Sequence, residues 1–177
     1  MESYVPVGPH LPDSAMLWCR QVTITSELIT IKIRATLPCA SCPVCGRSSF
    51  RVHSHYTRIL ADLSWHGTPV QLHLEVRRFF CISLSCPRRI FVERLPKVAE
   101  AHARKTVRLV KALRPIGFAL GGEAGSRLAG TLGMPTSPDT LAQHDSVRPR
   151  AADSPSAGSG CRRLGMAARS SLRHTPV

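Results

Sequence analysis

The chain has 177 residues, enough for one domain or two small ones at roughly 100–200 residues per domain. Its 24 Lys+Arg against 11 Asp+Glu leave a net charge of +13, which favours a polyanionic partner, while 5% aromatic content argues against a broad stacking platform for single strands. No apolar run reaches the ~18 residues of a membrane span, and the first residues lack the basic start and apolar stretch of a secretory signal, so the seven cysteines are expected as metal ligands or free thiols in a reducing, cytoplasmic setting.

Residues 1–37 form a strand or hairpin region without net charge. In the run QVTITSELITIKIR, which ends at Arg34, Ile29, Ile31 and Ile33 alternate with Thr30, Lys32 and Arg34. A period of two with β-branched residues is a half-buried strand, and the run is expected to turn near Ser26-Glu27. Residues 38–96 are expected to be a β domain. Phe50 to Tyr56 reads as a short strand, and in Val70 to Val76 the residues Val70, Leu72, Leu74 and Val76 face away from Gln71, His73 and Glu75. Ile90 to Val92 gives a fourth strand. Pro96 ends this pattern.

From about Val98 the residues 97–141 read as helical, with Leu109, Val110 and Leu113 on one arc and Arg104, Arg108 and Lys111 on another. Pro115 and Gly117 are expected to kink or end that helix. A second helix runs from Glu123 to Leu132 and stops at Gly133. Ser137 is placed to cap a third, with Pro138 at its first position and Asp139 in its first turn. Two helices joined by a glycine-containing turn, with Leu128, Ala129, Leu132 and Leu141 inside, fit a helix-turn-helix. Residues 142–177 are rich in Ser, Ala, Arg, Pro and Gly and are expected to be a disordered basic tail. The fold class is therefore α+β: a small β-rich zinc-ribbon-like domain, a helical segment and a tail.

The strongest chemical signal is Cys42-Pro-Val-Cys45-Gly, paired with Cys81-x4-Cys86-Pro after 35 intervening residues. Two thiolates two residues apart on a tight knuckle reach one tetrahedral ion at about 2.3 Å, and a second pair closes a four-sulfur structural site. Gly46 relieves the turn. Cys39 stands two residues before Cys42 and competes as a ligand or is a neighbouring free thiol. His53 and His55 share one side of a strand and can replace a thiolate or contact solvent or phosphate. Cys19 reads as buried filler, Cys161 lies in the loose tail, and Trp65 belongs to the core. Arg77-Arg78 precede the third cysteine and Arg88-Arg89 follow the fourth, so a closed site gathers guanidiniums suited to phosphate contacts.

The run from CPVCGRSSF through RRFFCISLSCPRRIF resembles the N-terminal zinc-binding domain of bacterial insertion-sequence transposases of the ISL-three group. The stretch IGFALGGEAGSRLAGTLGMPTSPDTL is similar to the helix-turn-helix that follows it. The resemblance covers about residues 15–141. It implies zinc at Cys42, Cys45, Cys81 and Cys86, and binding to the element's terminal inverted repeats in double-stranded DNA. It also implies that intact members continue into an RNase-H-like catalytic domain of the DDE type. This sequence departs from them after Leu141, where Asp145 and Asp153 sit in unpatterned residues and no third carboxylate completes a two-metal site. The expectation is a truncated or frameshifted, non-enzymatic DNA-binding fragment in a bacterial cytoplasm, associated with the nucleoid and able to compete with full-length transposase. Arg77, Arg78, Arg88, Arg89, Arg104, Arg108 and Lys111 would meet the DNA backbone, and residues around Ser137 and Thr140 the bases. The alternative is a zinc-ribbon module that docks its basic face on an acidic protein without specific DNA binding.

Overall fold

The computed structural model describes residues 11–13 and 16–146. Strands β1 (Leu17–Ile24) and β2 (Ile29–Ala35) form an antiparallel hairpin that turns at residues 25–28, where the Thr25 hydroxyl both donates to the Leu28 carbonyl and accepts from the Leu28 N–H. Two short strands, β3 (Ala40–Ser41) and β4 (Ser48–Ser49), pair with each other around the first cysteine loop. The long strands β5 (Val52–Trp65) and β6 (Thr68–Phe80) follow as a second hairpin, and β7 (Ile90–Val92) returns to the end of β6.

The large sheet has the order β1-β2-β6-β5, with β2 parallel to β6 and β7 antiparallel to the far end of β6. Alternation dictates which face is covered: Ile29, Ile31 and Ile33 on β2 and Val70, Leu72, Leu74 and Val76 on β6 are all buried. Leu60, Leu95 and Val98 complete that core. The β5–β6 turn is two residues long, and both His66 (φ 50°) and Gly67 (φ 81°) take the left-handed conformation that tight hairpins of this twist require.

Helix α1 (Val107–Thr131) contains Pro115, and its helical dihedrals break at Gly121 (φ 69°, ψ −172°). Helix α2 (Pro138–Ser146) is capped by Ser137, whose Oγ accepts from the Thr140 N–H at 3.3 Å. Leu109 and Leu113 before the break, Ala129 after it and Leu141 on α2 form a separate core, against which Ala61 and Leu63 of β5 also pack.

Several expectations need correction. The second strand, expected to stop at Tyr56, runs on to Trp65 because it pairs along most of β6. The helix expected from Val98 begins at Val107. The segment before it is used otherwise: the Arg104 carbonyl accepts from the Ala61 N–H, and the Thr106 N–H donates to the Ala61 carbonyl. These bonds satisfy the outer edge of β5, and Thr106 then serves as N-cap by accepting from the Leu109 N–H. Arg104 is therefore not on a helical arc with Arg108 and Lys111. The break falls at Gly121 rather than at Pro115 or Gly117. Helix α2 continues past Leu141 to Ser146, so the expected tail loses its first residues to a helix. The remainder of that tail, with Cys161 and Asp153, lies outside the described residues.

Candidate metal centre and basic surface

The knuckle forms because β3 and β4 bring its ends together. The Cys42 N–H donates to the Arg47 carbonyl and the Gly46 N–H to the Cys42 carbonyl, both at 2.9 Å, and Gly46 takes φ 72°. Opposite it, the end of β6 carries Cys81, whose N–H donates to the Arg89 carbonyl at 2.8 Å, and a turn of the chain returns Cys86. The four sulfurs of Cys42, Cys45, Cys81 and Cys86 all lie within 4.8 Å of one another. Cys42 and Cys86 are 3.9 Å apart and Cys45 and Cys81 3.6 Å. Four thiolates placed tetrahedrally at about 2.3 Å from an ion stand about 3.8 Å from each other. Donor set and spacing both fit a structural zinc ion, which would close the knuckle and the turn from Cys81 to Cys86 into one unit. Phe79 and Phe91, stacked with centroids 5.9 Å apart, pack against Cys42 and Cys86 and keep that side dry.

The thiols of this cluster do not ionise alike. Burial raises Cys42, but the N–H groups of Cys45 and Val44 and the thiols of Cys45 and Cys81 favour its thiolate and bring it down to about 7. At Cys81 the Ser83 N–H favours the thiolate, yet burial and the neighbouring thiols outweigh it and push the group up to about 12. Burial likewise raises Cys86. Full deprotonation of such a cluster requires a compensating cation.

The other sulfur and imidazole candidates stay outside this group. Cys39 is buried and its sulfur does not join the four that cluster, so it is not the competing ligand that its position allowed. Cys19 packs partly buried against the sheet core, as does Trp65. His53 donates or accepts at Ser54 Oγ (2.9 Å) and meets the edge of Phe80, and His55 is exposed one pair further along β5.

The basic residues divide into two sets. Arg77 and Arg108 are half-buried and held by buried carboxylates in place of the expected exposed positions. Arg77 bonds both carboxylate oxygens of buried Glu93, at 2.6–3.2 Å, and the Leu37 carbonyl at 2.6 Å. Arg108 grips the buried carboxylate of Asp62, which also accepts from Thr106 Oγ1 at 2.7 Å. Arg78, Arg88, Arg89, Arg104 and Lys111 are exposed. Ser137 is also exposed, and its hydroxyl lies 2.7 Å from Thr140 Oγ1 at the start of α2.

Sequence reasoning missed Asp62, Thr106, Arg58 and Arg94. Asp62 carries a local signal: it is a lone carboxylate at a core-facing position of an otherwise apolar strand end, and such a group demands a cation.

Residues 39–86 match the family model for the zinc-finger of transposase IS204/IS1001/IS1096/IS1165. The matched segment starts at Cys39, holds all four clustered sulfurs and ends at Cys86. This part of the chain is similar to a transposase-type zinc ribbon. Neither a curated protein nor a solved structure matches the chain. Among the described residues no helix is long and apolar enough to cross a membrane.

Proposed function

We propose that the chain is a DNA-binding N-terminal region of an insertion-sequence transposase, which recognises the element's ends and acts by binding rather than by catalysis. The observation that carries this reading is the four-sulfur centre inside a segment that matches a transposase zinc finger. Three further features support it. The net charge is +13, and exposed Arg78, Arg88, Arg89, Arg104 and Lys111 stand on the elements around the knuckle and the first helix. The two helical pieces on either side of Gly133, with Ser137 and Thr140 at the start of the second, support reading this segment as a helix-turn-helix. Terminal inverted repeats in double-stranded DNA are the proposed ligand, and full-length transposase a proposed competitor or partner.

The test is equilibrium binding of the zinc-loaded chain to a labelled duplex carrying an inverted repeat, against a scrambled duplex, across a salt series. Affinity is expected to fall by about a thousandfold or more between roughly 50 and 200 mM salt when several phosphates are neutralised. A flat salt response, or binding to an acidic protein but to neither duplex, favours the alternative of a protein-docking zinc ribbon. That alternative turns the same exposed arginines, Arg78, Arg88 and Arg89, to an acidic partner protein. In parallel, Cys45→Ser is expected to drop bound zinc well below one ion per chain and to lower the melting temperature; an unchanged zinc content overturns the metal assignment.

A further inference from the structure

We propose that a cleft between the cysteine knuckle and residues 93–102 is a phosphate-binding site, shaped to seat the backbone of a bound nucleic acid. It rests on the nucleic-acid reading above and deepens it by naming where a phosphate is held. The cleft has a volume of about 490 Å³ and is lined by Tyr56, Arg58, Arg78, Arg88, Arg94 and His102. These residues come from β5, β6, the turn after Cys86 and the segment beyond β7, so the site exists only when sheet and knuckle are assembled.

Two of the cations have a defined place. Arg58 is anchored, its Nη2 donating to the carbonyls of Glu100 (3.1 Å) and Ala103 (2.7 Å). The Arg78 guanidinium lies over the Tyr56 ring, 5.0 Å from its centroid, which limits its motion while its edge stays open. Arg88 and Arg94 are exposed and make no ion pair among the described residues.

The carboxylates do not cancel this charge. Glu93 lines the cleft, but Arg77 holds both of its oxygens. Glu100 is exposed and is the single opposing charge left among the lining residues. Arginines converging from separate elements, with few competing anions, suit the tetrahedral oxygens of a phosphate, which guanidinium groups can meet two at a time. The cleft is too small for a duplex to enter, so a strand would lie across its mouth with a phosphate turned in.

The test uses the full zinc-loaded chain and the double variant Arg78→Gln/Arg94→Gln, whose exposed side chains leave zinc content and melting temperature unchanged. The probes are a labelled duplex, the matching single strand and inorganic pyrophosphate. The slope of log affinity against log salt is expected to shrink by about two in the double variant, one for each phosphate contact removed. Pyrophosphate is expected to compete with DNA and to raise the melting temperature of the parent chain but not of the variant. If the parent binds DNA and the variant keeps its slope, the cleft proposal falls while the DNA reading stands. If the parent binds no nucleic acid but pyrophosphate stabilises it and not the variant, the cleft holds a free phosphate compound and the DNA reading falls. Failure of every probe overturns both.

Discussion

Asp62 shows how a single side chain joins two parts of the molecule. Its carboxylate sits at a core-facing position of β5, fully buried, where an unpaired charge would be prohibitive. Arg108 and Thr106 supply three donor contacts, and both belong to the start of α1. The first turn of the helix is thereby fixed to the sheet. Asp62→Ala is expected to destabilise the chain by about 2–3 kcal/mol, less than a wholly buried pair because Arg108 is partly open to water. Urea unfolding measures this, and a change below about 0.5 kcal/mol would refute the role. The same residues mark what the sequence makes legible and what it does not. Cys42 and Cys45 declare themselves by local spacing. Arg77 and Arg108 look like surface cations because the partners that claim them, Glu93 and Asp62, lie 16 and 46 residues away.

At the level of elements, β2 and the middle of β6 follow directly from alternation, since every second residue is a branched aliphatic. The reach of β5 does not, because Ser54, His55, Thr57 and Arg58 interrupt the apolar pattern and only pairing with β6 holds them extended. The late start of α1 is equally hidden: residues 98–106 contain helix formers, but the backbones of Arg104 and Thr106 are needed to pair with Ala61. The end of α1 depends on close approach. Gly133 takes φ 73°, and a Cβ there would stand 2.1 Å from the Gly67 carbonyl oxygen at the β5–β6 turn. The Ser64 hydroxyl reinforces the contact by donating to the Leu132 carbonyl at 2.6 Å. Gly133→Ala is expected to destabilise by more than about 1 kcal/mol and to pull the helices from the hairpin tip, seen as faster amide exchange in α2. Gly130→Ala, which meets only open space, is expected to stabilise by about 0.5–1 kcal/mol. Equal effects at the two positions would contradict the packing account.

Across the whole molecule three apolar clusters carry the fold: the sheet face, the sulfur-lined patch beneath Phe79 and Phe91, and the helical core. The sheet core contains none of the four clustered cysteines, so the metal centre and the sheet are expected to separate in stability. Chelation of the loaded chain should speed amide exchange at residues 40–49 and 81–91 while residues 29–35 and 70–76 stay protected. Measured by exchange with mass or NMR detection, uniform loss of protection would show instead that the chain folds only with its ion.

The parallel pairing of β2 with β6 has a kinetic consequence. Each of the two hairpins can form from neighbouring residues, but joining them requires residues 36–67 to loop back, and this step carries the entropy of closing a long segment. The knuckle lies within that loop, and Cys81 and Cys86 lie just beyond the strand it must reach. An ion captured by all four sulfurs would draw the crossover toward the end of β6 before the strands have aligned. In that role zinc acts on the search for the native topology as well as on its endpoint.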